Sequence, residues 1–256
     1  MPSAADVANR DTITVAGGVG TVPDYVGSDD YRLIPAAAIR GKLSGYSFTT
    51  RGTYLYVDAI PHHGANSVDF NFGPIAGLRL DRSSRVKDPV VKLLPRLNRA
   101  IEVGAFAGVS FHGLIDPYDT LGVRLDVLHD ISNAHKSTTF SPNLEFSTPV
   151  SRTTYVSANV GAEFASNRFA DYYFGITPAD SLRSGLPVFN PGGGMKDWKA
   201  GLLVNQSLTG DLLGGLSVFG TGQYSRLLGD FRRSPIVSQR GSASQWLGAI
   251  GLAYTW

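Results

Sequence analysis

Gln245-Trp246-Leu247-Gly248-Ala249-Ile250-Gly251-Leu252-Ala253-Tyr254-Thr255-Trp256 is the stretch whose reading decides the fold class. Alternate residues part cleanly. Trp246, Gly248, Ile250, Leu252, Tyr254 and Trp256 fall on one face, and Leu247, Ala249, Gly251, Ala253 and Thr255 on the other. A period of two sustained this long is a strand, not a helix. The first face carries aromatic rings near both ends and aliphatic side chains between them. That order suits a strand crossing a bilayer, with rings at the two interfaces and apolar side chains in the middle. A C-terminal strand of a soluble barrel is the other reading of the same residues.

Working back along the chain, the same period recurs. Val68, Phe70, Phe72, Ala76, Leu78 and Leu80 alternate with Asp69, Asn71, Gly73, Gly77 and Arg79. Ile101, Val103, Ala105, Ala107 and Val109 alternate with Glu102, Gly104, Gly108 and Ser110. Leu121, Val123, Leu125 and Val127 face away from Arg124 and Asp126. Val156, Ala158, Val160 and Ala162 oppose Ser157, Asn159, Gly161 and Glu163. These strands are long: soluble strands average ~5–6 residues, whereas a tilted strand needs ~9–11 to cross a bilayer. Their polar faces carry charge of both signs, as the lumen of a membrane barrel does.

Composition agrees. The 256 residues hold 30 Gly and only 17% charged side chains, with a net charge of +2. That balance gives no field for nucleic acid. With no Cys, disulfides, thiolate metal sites and a cysteine nucleophile are excluded. The longest uncharged run, 241–256, is too short and too rich in Gly, Ser and Gln for a membrane helix.

Twelve strands are expected, over 12–22, 33–43, 46–58, 68–80, 101–111, 120–131, 138–148, 153–165, 169–176, 195–208, 213–228 and 245–256. They form one all-β antiparallel transmembrane barrel over 12–256 with both termini periplasmic, because single-chain bacterial barrels use even numbers. Residues 1–11 are expected to be a tail left after removal of a signal sequence. Ten strands is the alternative. A strand at 169–176 would put the short 148–153 link outside and the long 81–99 link inside, which inverts the usual lengths.

Ordered motifs strengthen the reading. They are Val22-Pro23-Asp24-Tyr25-Val26-Gly27-Ser28-Asp29-Asp30-Tyr31-Arg32, then Tyr172-Tyr173-Phe174-Gly175-Ile176-Thr177-Pro178 with Ser184-Gly185-Leu186-Pro187. Gly192-Gly193-Gly194-Met195-Lys196-Asp197 follows, and after it Tyr224-Ser225-Arg226-Leu227-Leu228-Gly229-Asp230, Ser234-Pro235-Ile236-Val237 and Gly241-Ser242. In these motifs the chain resembles the MipA/OmpV family of Gram-negative outer-membrane proteins over nearly its whole length. Segment 81–99 departs most, being more basic. The resemblance implies an outer-membrane barrel and a non-enzymatic scaffold role in peptidoglycan metabolism, bridging a lytic transglycosylase and a murein synthase. Other members act as adhesins or stress-related surface proteins. No catalytic residues come with the resemblance.

Candidate residues follow from the faces. Arg79, Glu102, Arg124, Asp126, Glu163 and Lys199 form an expected lumen charge network, either a paired filling or the lining of a narrow uptake channel. Asp29, Asp30, Tyr172, Tyr173, Arg232 and Arg233 are expected loop contacts for a partner or for lipopolysaccharide; turn chemistry and aromatic packing are the plainer readings. The triple glycine lacks the Lys-Ser/Thr of a phosphate loop. His62, His63, His112, His129 and His135 read as surface residues, so no metal or other cofactor is expected. Ser110 with His112 is the nearest thing to a hydrolase pair, and it lacks a third member.

Overall fold

The computed structural model describes residues 10–63 and 66–256. Most of the expected N-terminal tail lies outside the described residues. Twelve antiparallel strands close into one barrel. In chain order they are β1 (Thr12–Pro23), β2 (Tyr31–Leu43), β3 (Tyr46–Arg51), β4 (Tyr54–Val57), β5 (Val68–Arg79), β6 (Ala100–His112), β7 (Thr120–Asp130), β8 (Thr138–Pro149), β9 (Thr154–Ala165), β10 (Gly194–Ser207), β11 (Gly215–Leu227) and β12 (Ser244–Thr255). Neighbours in sequence pair throughout, and β1 closes onto β12 from Thr14↔Thr255 to Thr21↔Gly248. At this seam Gly18 faces Gly251, and a Cβ on Gly18 would stand 2.2 Å from the Ile250 carbonyl oxygen. Only glycine fits there.

The strand count stands, but two of its members differ from the expected set. Segment 46–58 is not one strand. It breaks at Gly52, whose φ of +60° makes a tight hairpin between β3 and β4. Segment 169–176 is not a strand either. It is mostly helix α1 (Asn167–Phe174), started by Ser166, whose side chain accepts from the Phe169 amide. Phe169, Ala170, Tyr173 and Phe174 are its buried residues, the one-sided spacing of a helix. One strand gained and one lost keep the number even and remove the conflict over link lengths. The 148–153 link is a tight turn on the rim where β1 begins and β12 ends, the terminus rim, and 81–99 lies on the far rim. That far rim also carries α2 (Pro178–Ser184), and α3 (Gly229–Arg233) and α4 (Pro235–Ser238) from the β11–β12 link.

The exterior is apolar. Val19, Leu33, Phe70, Val160, Ile250 and Leu252 stand exposed on it, as side chains solvated by lipid do. Rings gather at both ends of this band. Tyr224 packs on Trp198 and Trp246 at the far rim, and Tyr254 on Trp256 at the terminus rim.

The wall is incomplete on one side. Because β3 is short, β2 pairs with it only over Arg40–Leu43. Above that, among the described residues, no strand pairs with this edge of β2. Three features blunt the edge. The Thr50 hydroxyl bonds both the amide and the carbonyl of Ile39. Pro35, of the same parity, has no N–H to leave bare. Lys87 Nζ from the β5–β6 link donates to the Tyr31 carbonyl.

Candidate functional site

The sequence motifs converge on the far rim. Tyr25, Phe169, Tyr173, Phe174, Leu227, Phe231, Ile236 and Val237 form a buried apolar core across the barrel mouth. Phe174 meets Phe231 edge to face at 5.2 Å. Polar clasps hold the plug. The Tyr25 hydroxyl donates to the carbonyls of Ile236 (2.9 Å) and Arg240 (3.0 Å). Ser234 Oγ donates to the Phe174 carbonyl at 2.6 Å. Gln245 Oε1 accepts from Gly27 N, and its Nε2 donates to the Ser28 carbonyl. Gly27 is required here: its φ is +101°, and a Cβ would fall 2.4 Å from the Val237 side chain.

Under the plug lies a network of buried charges. Glu102, with no solvent exposure, accepts from Arg79 Nε at 2.9 Å, sits 2.8 Å from His135 Nε2, and accepts from the Tyr54 hydroxyl. Arg79 Nη1 lies 3.3 Å from Glu163, and Lys196 Nζ lies 3.1 Å from Glu163 and 3.0 Å from Asp197. The Arg79 guanidinium also covers the Phe169 ring at 4.9 Å, so plug and network are one assembly. Buried charge is tolerated when paired in this way. Nearer the terminus rim, Arg124 Nε reaches Asp126 at 2.7 Å, and Asp126 accepts from Tyr56 and Asn143. Arg51 pairs Glu145 at 2.9 Å across the lumen. Lys199 is half-buried on the same wall, its Cε close against Gly161. A lumen cavity of about 250 Å³ remains below the network, lined among others by Ser47, Tyr56, Asp58, Asn71, Arg124 and Glu145.

Asp197, Arg51 and Glu145 join the expected set, and Lys196 and His135 lie where alternation does not point. Lys196 would face out under strict alternation, but a bulge between Met195 and Asp197 shifts the register and buries Lys196 and Asp197 together. His135 is not a surface residue. The β7–β8 link folds inward through left-handed Asn133 and Lys136, and buries His135 between Glu102, Ser137 and the Phe169 ring at 5.1 Å. A lone His in a polar link carries no sign of that.

The other candidates scatter. Asp29 and Asp30 are exposed beside the plug, while Asp24 of the same motif is buried and accepts the Lys87 amide at 2.6 Å. Tyr172 is half-buried, its hydroxyl accepting from the Asn98 amide, and burial pushes its pKa up. Tyr173 lies inside the plug core. Arg232 is exposed, and Arg233 pairs Asp230 at 3.2 Å. Ser110 donates to Asn71 while His112 bonds Thr120 and lies 3.3 Å from Asp69, so the two do not form a nucleophile–base pair. Among the described residues no group of three or more His, Cys, Asp or Glu side chains is placed to hold a metal ion.

The terminus rim is built from short turns. Leu114 and Ile115 (β6–β7), Val150 (β8–β9) and Leu208 (β10–β11) are exposed on it, Ile115 at 88%. The Leu212 amide donates to the Arg152 carbonyl, tying two of these turns together.

The family model for MltA-interacting protein MipA matches residues 15–256. A MltA-interacting protein of Escherichia coli (strain K12) is 32% identical over 101 residues, and one of Shigella flexneri matches equally. That stretch takes in 40% of this chain and 37% of each relative. Among solved structures, the NanC porin is similar at 12% identity and a TM-score of 0.44, covering 95% of this chain and 98% of its own. The translocator domain of the autotransporter NalP from Neisseria meningitidis is similar at 13% and 0.44, covering 98% and 90%.

Proposed function

The chain belongs to the MltA-interacting protein MipA family of outer-membrane barrels, and on that footing we propose that it is a non-enzymatic scaffold holding a lytic transglycosylase, and through it a murein synthase, at the inner face of the Gram-negative outer membrane. The observation that carries this reading is the filled mouth. An apolar core across the far rim, seated on paired buried charges, turns the barrel from a conduit into a rigid anchor whose working surfaces are its rims. Bacterial barrels keep short turns in the periplasm and long loops outside. The terminus rim is therefore assigned to the periplasm, where murein enzymes work. Exposed Leu114, Ile115, Val150 and Leu208 supply the apolar centre that a protein interface needs.

The test is binding of a purified MltA-type lytic transglycosylase to the barrel in detergent, read by surface plasmon resonance. Saturable binding is expected, weakened by about tenfold or more by Leu114→Asp with Ile115→Asp, a loss of ~1.4 kcal/mol. A correctly folded barrel that shows no binding overturns the reading. A narrow channel is the second reading, favoured by the mixed charge around the 250 Å³ lumen cavity. It requires that the plug move.

A further inference from the structure

The β5–β6 link is the most basic stretch of the far rim. Residues 80–99 hold Arg82, Arg85, Lys87, Lys92, Arg96 and Arg99 against Asp81 and Asp88. Both acids are engaged elsewhere. Asp81 accepts from the Val26 amide at 2.9 Å. Asp88 accepts from Arg240 Nη2 at 2.7 Å and from the amides of Val90 and Val91 at 2.8 Å. Arg82, Arg85, Lys92 and Arg96 line a cleft of about 230 Å³ together with Ser84, and no carboxylate lines it.

Arg82 is what makes the cleft more than a solvated basic patch. It is only 6% exposed, and its Nε and Nη1 have no hydrogen-bond acceptor among the described residues. Its φ of +45° is one that side chains rarely adopt, and strain of this kind gathers at functional sites. Burial pulls its pKa down, with nearby Asp81 opposing. Arg32, at the open edge of β2, donates to Ser84 Oγ at 2.7 Å, and among the described residues its Nε has no partner. Buried guanidinium donors are costly unless an acceptor meets them.

We propose that this cleft binds a phosphomonoester or diphosphate group. Planar guanidinium forks match phosphate oxygens two at a time, and the cleft lies beside the gap in the wall, where a group at the membrane surface can reach it. Two sources share this chemistry: the phosphates of a glycolipid in the adjoining leaflet, and a free phosphorylated solute.

The experiment uses the full chain in detergent. Inorganic pyrophosphate is titrated calorimetrically, and lipopolysaccharide, intact or enzymatically dephosphorylated, is tested by co-purification. The expected result is binding that weakens with added salt and falls at least about tenfold in Arg85→Gln/Lys92→Gln/Arg96→Gln, whose changes are all at exposed positions. Arg82→Gln, checked for heat-modifiable folding, is expected to abolish it. Binding of pyrophosphate without lipopolysaccharide supports a free solute as ligand. Binding of intact but not dephosphorylated lipopolysaccharide supports the lipid source. Folded protein that binds neither, or a triple variant that binds as the wild type does, overturns the proposal. The triple variant lies on the rim opposite the proposed transglycosylase surface, so either reading can fail while the other stands.

Discussion

Glu102 Oε1 lies 2.8 Å from His135 Nε2, with both side chains fully buried. The contact ties the wall strand β6 to the inward fold of the β7–β8 link, beneath the plug. Removing one member of a buried polar pair leaves the other without compensation, at about 3–5 kcal/mol. Glu102→Gln and His135→Ala are each expected to lower the temperature at which the folded band is lost on gels, by comparable amounts. The double variant is expected to fall well short of their sum. Full additivity would show that the two side chains act independently.

Phe169 joins plug to network, with the His135 ring on one side and the Arg79 guanidinium over its face. Phe169→Ala removes a buried ring, a change worth ~3–5 kcal/mol. The wild-type barrel is expected to be silent in a planar bilayer, and Phe169→Ala to show flickering steps as the plug loosens. Reproducible unitary steps from the wild type would move the function to the channel reading.

Asp88 anchors the basic link to the β11–β12 link through Arg240. Burial pushes its carboxyl pKa up, but the Arg240 hydrogen bonds and the Val91 and Val90 amides outweigh that and hold it below its ordinary 3.8. With the folded value lowered, the anchor is fully present above the ordinary value. It is lost as the pH falls through the lowered one. A spin label on Asn98→Cys, in a chain with no other Cys, is expected to be immobile at neutral pH and to loosen only in strong acid. In Asp88→Asn it should be mobile throughout. Equal spectra at neutral pH would remove Asp88 from this role.

At the closing seam two adjacent glycines should behave differently. A Cβ on Gly18 collides with β12 backbone, whereas one on Gly17 meets nothing within 4 Å. Gly18→Val is expected to block closure and give no heat-modifiable band, while Gly17→Ala folds normally. Equal folding yields would show that the seam yields more readily than its geometry implies.

Alternation was enough to find the barrel and the centre of its lumen charge. Arg79, Glu102 and Glu163 sit opposite lipid-facing apolar residues, and a period of two reports that directly. What escaped were the places where the backbone leaves that period. The bulge at Met195/Asp197 adds Lys196 to the lumen, and left-handed residues around His135 turn a link inward. Tyr172-Tyr173-Phe174 favour strand by residue type, yet they are helical because Ser166 caps the turn and a rim core takes their buried face. The hairpin at Gly52 lies in Thr49-Thr50-Arg51-Gly52-Thr53, a polar run with a turn-type glycine that breaks the alternation of 46–58, so its signal was present in the residues.

The plug draws Tyr25 from the first link of the barrel, α1 from the ninth, between β9 and β10, and Phe231, Ile236 and Val237 from the last. Ser242 N reaches back to the Gly27 carbonyl at 2.8 Å, a contact between chain regions that become neighbours only when β12 reaches β1. Contacts of such long sequence separation form late. During insertion the lumen is therefore wet and its charges hydrated until the final strand docks. The mouth seals only with that last docking step, and a chain stalled one strand short is expected to stay leaky.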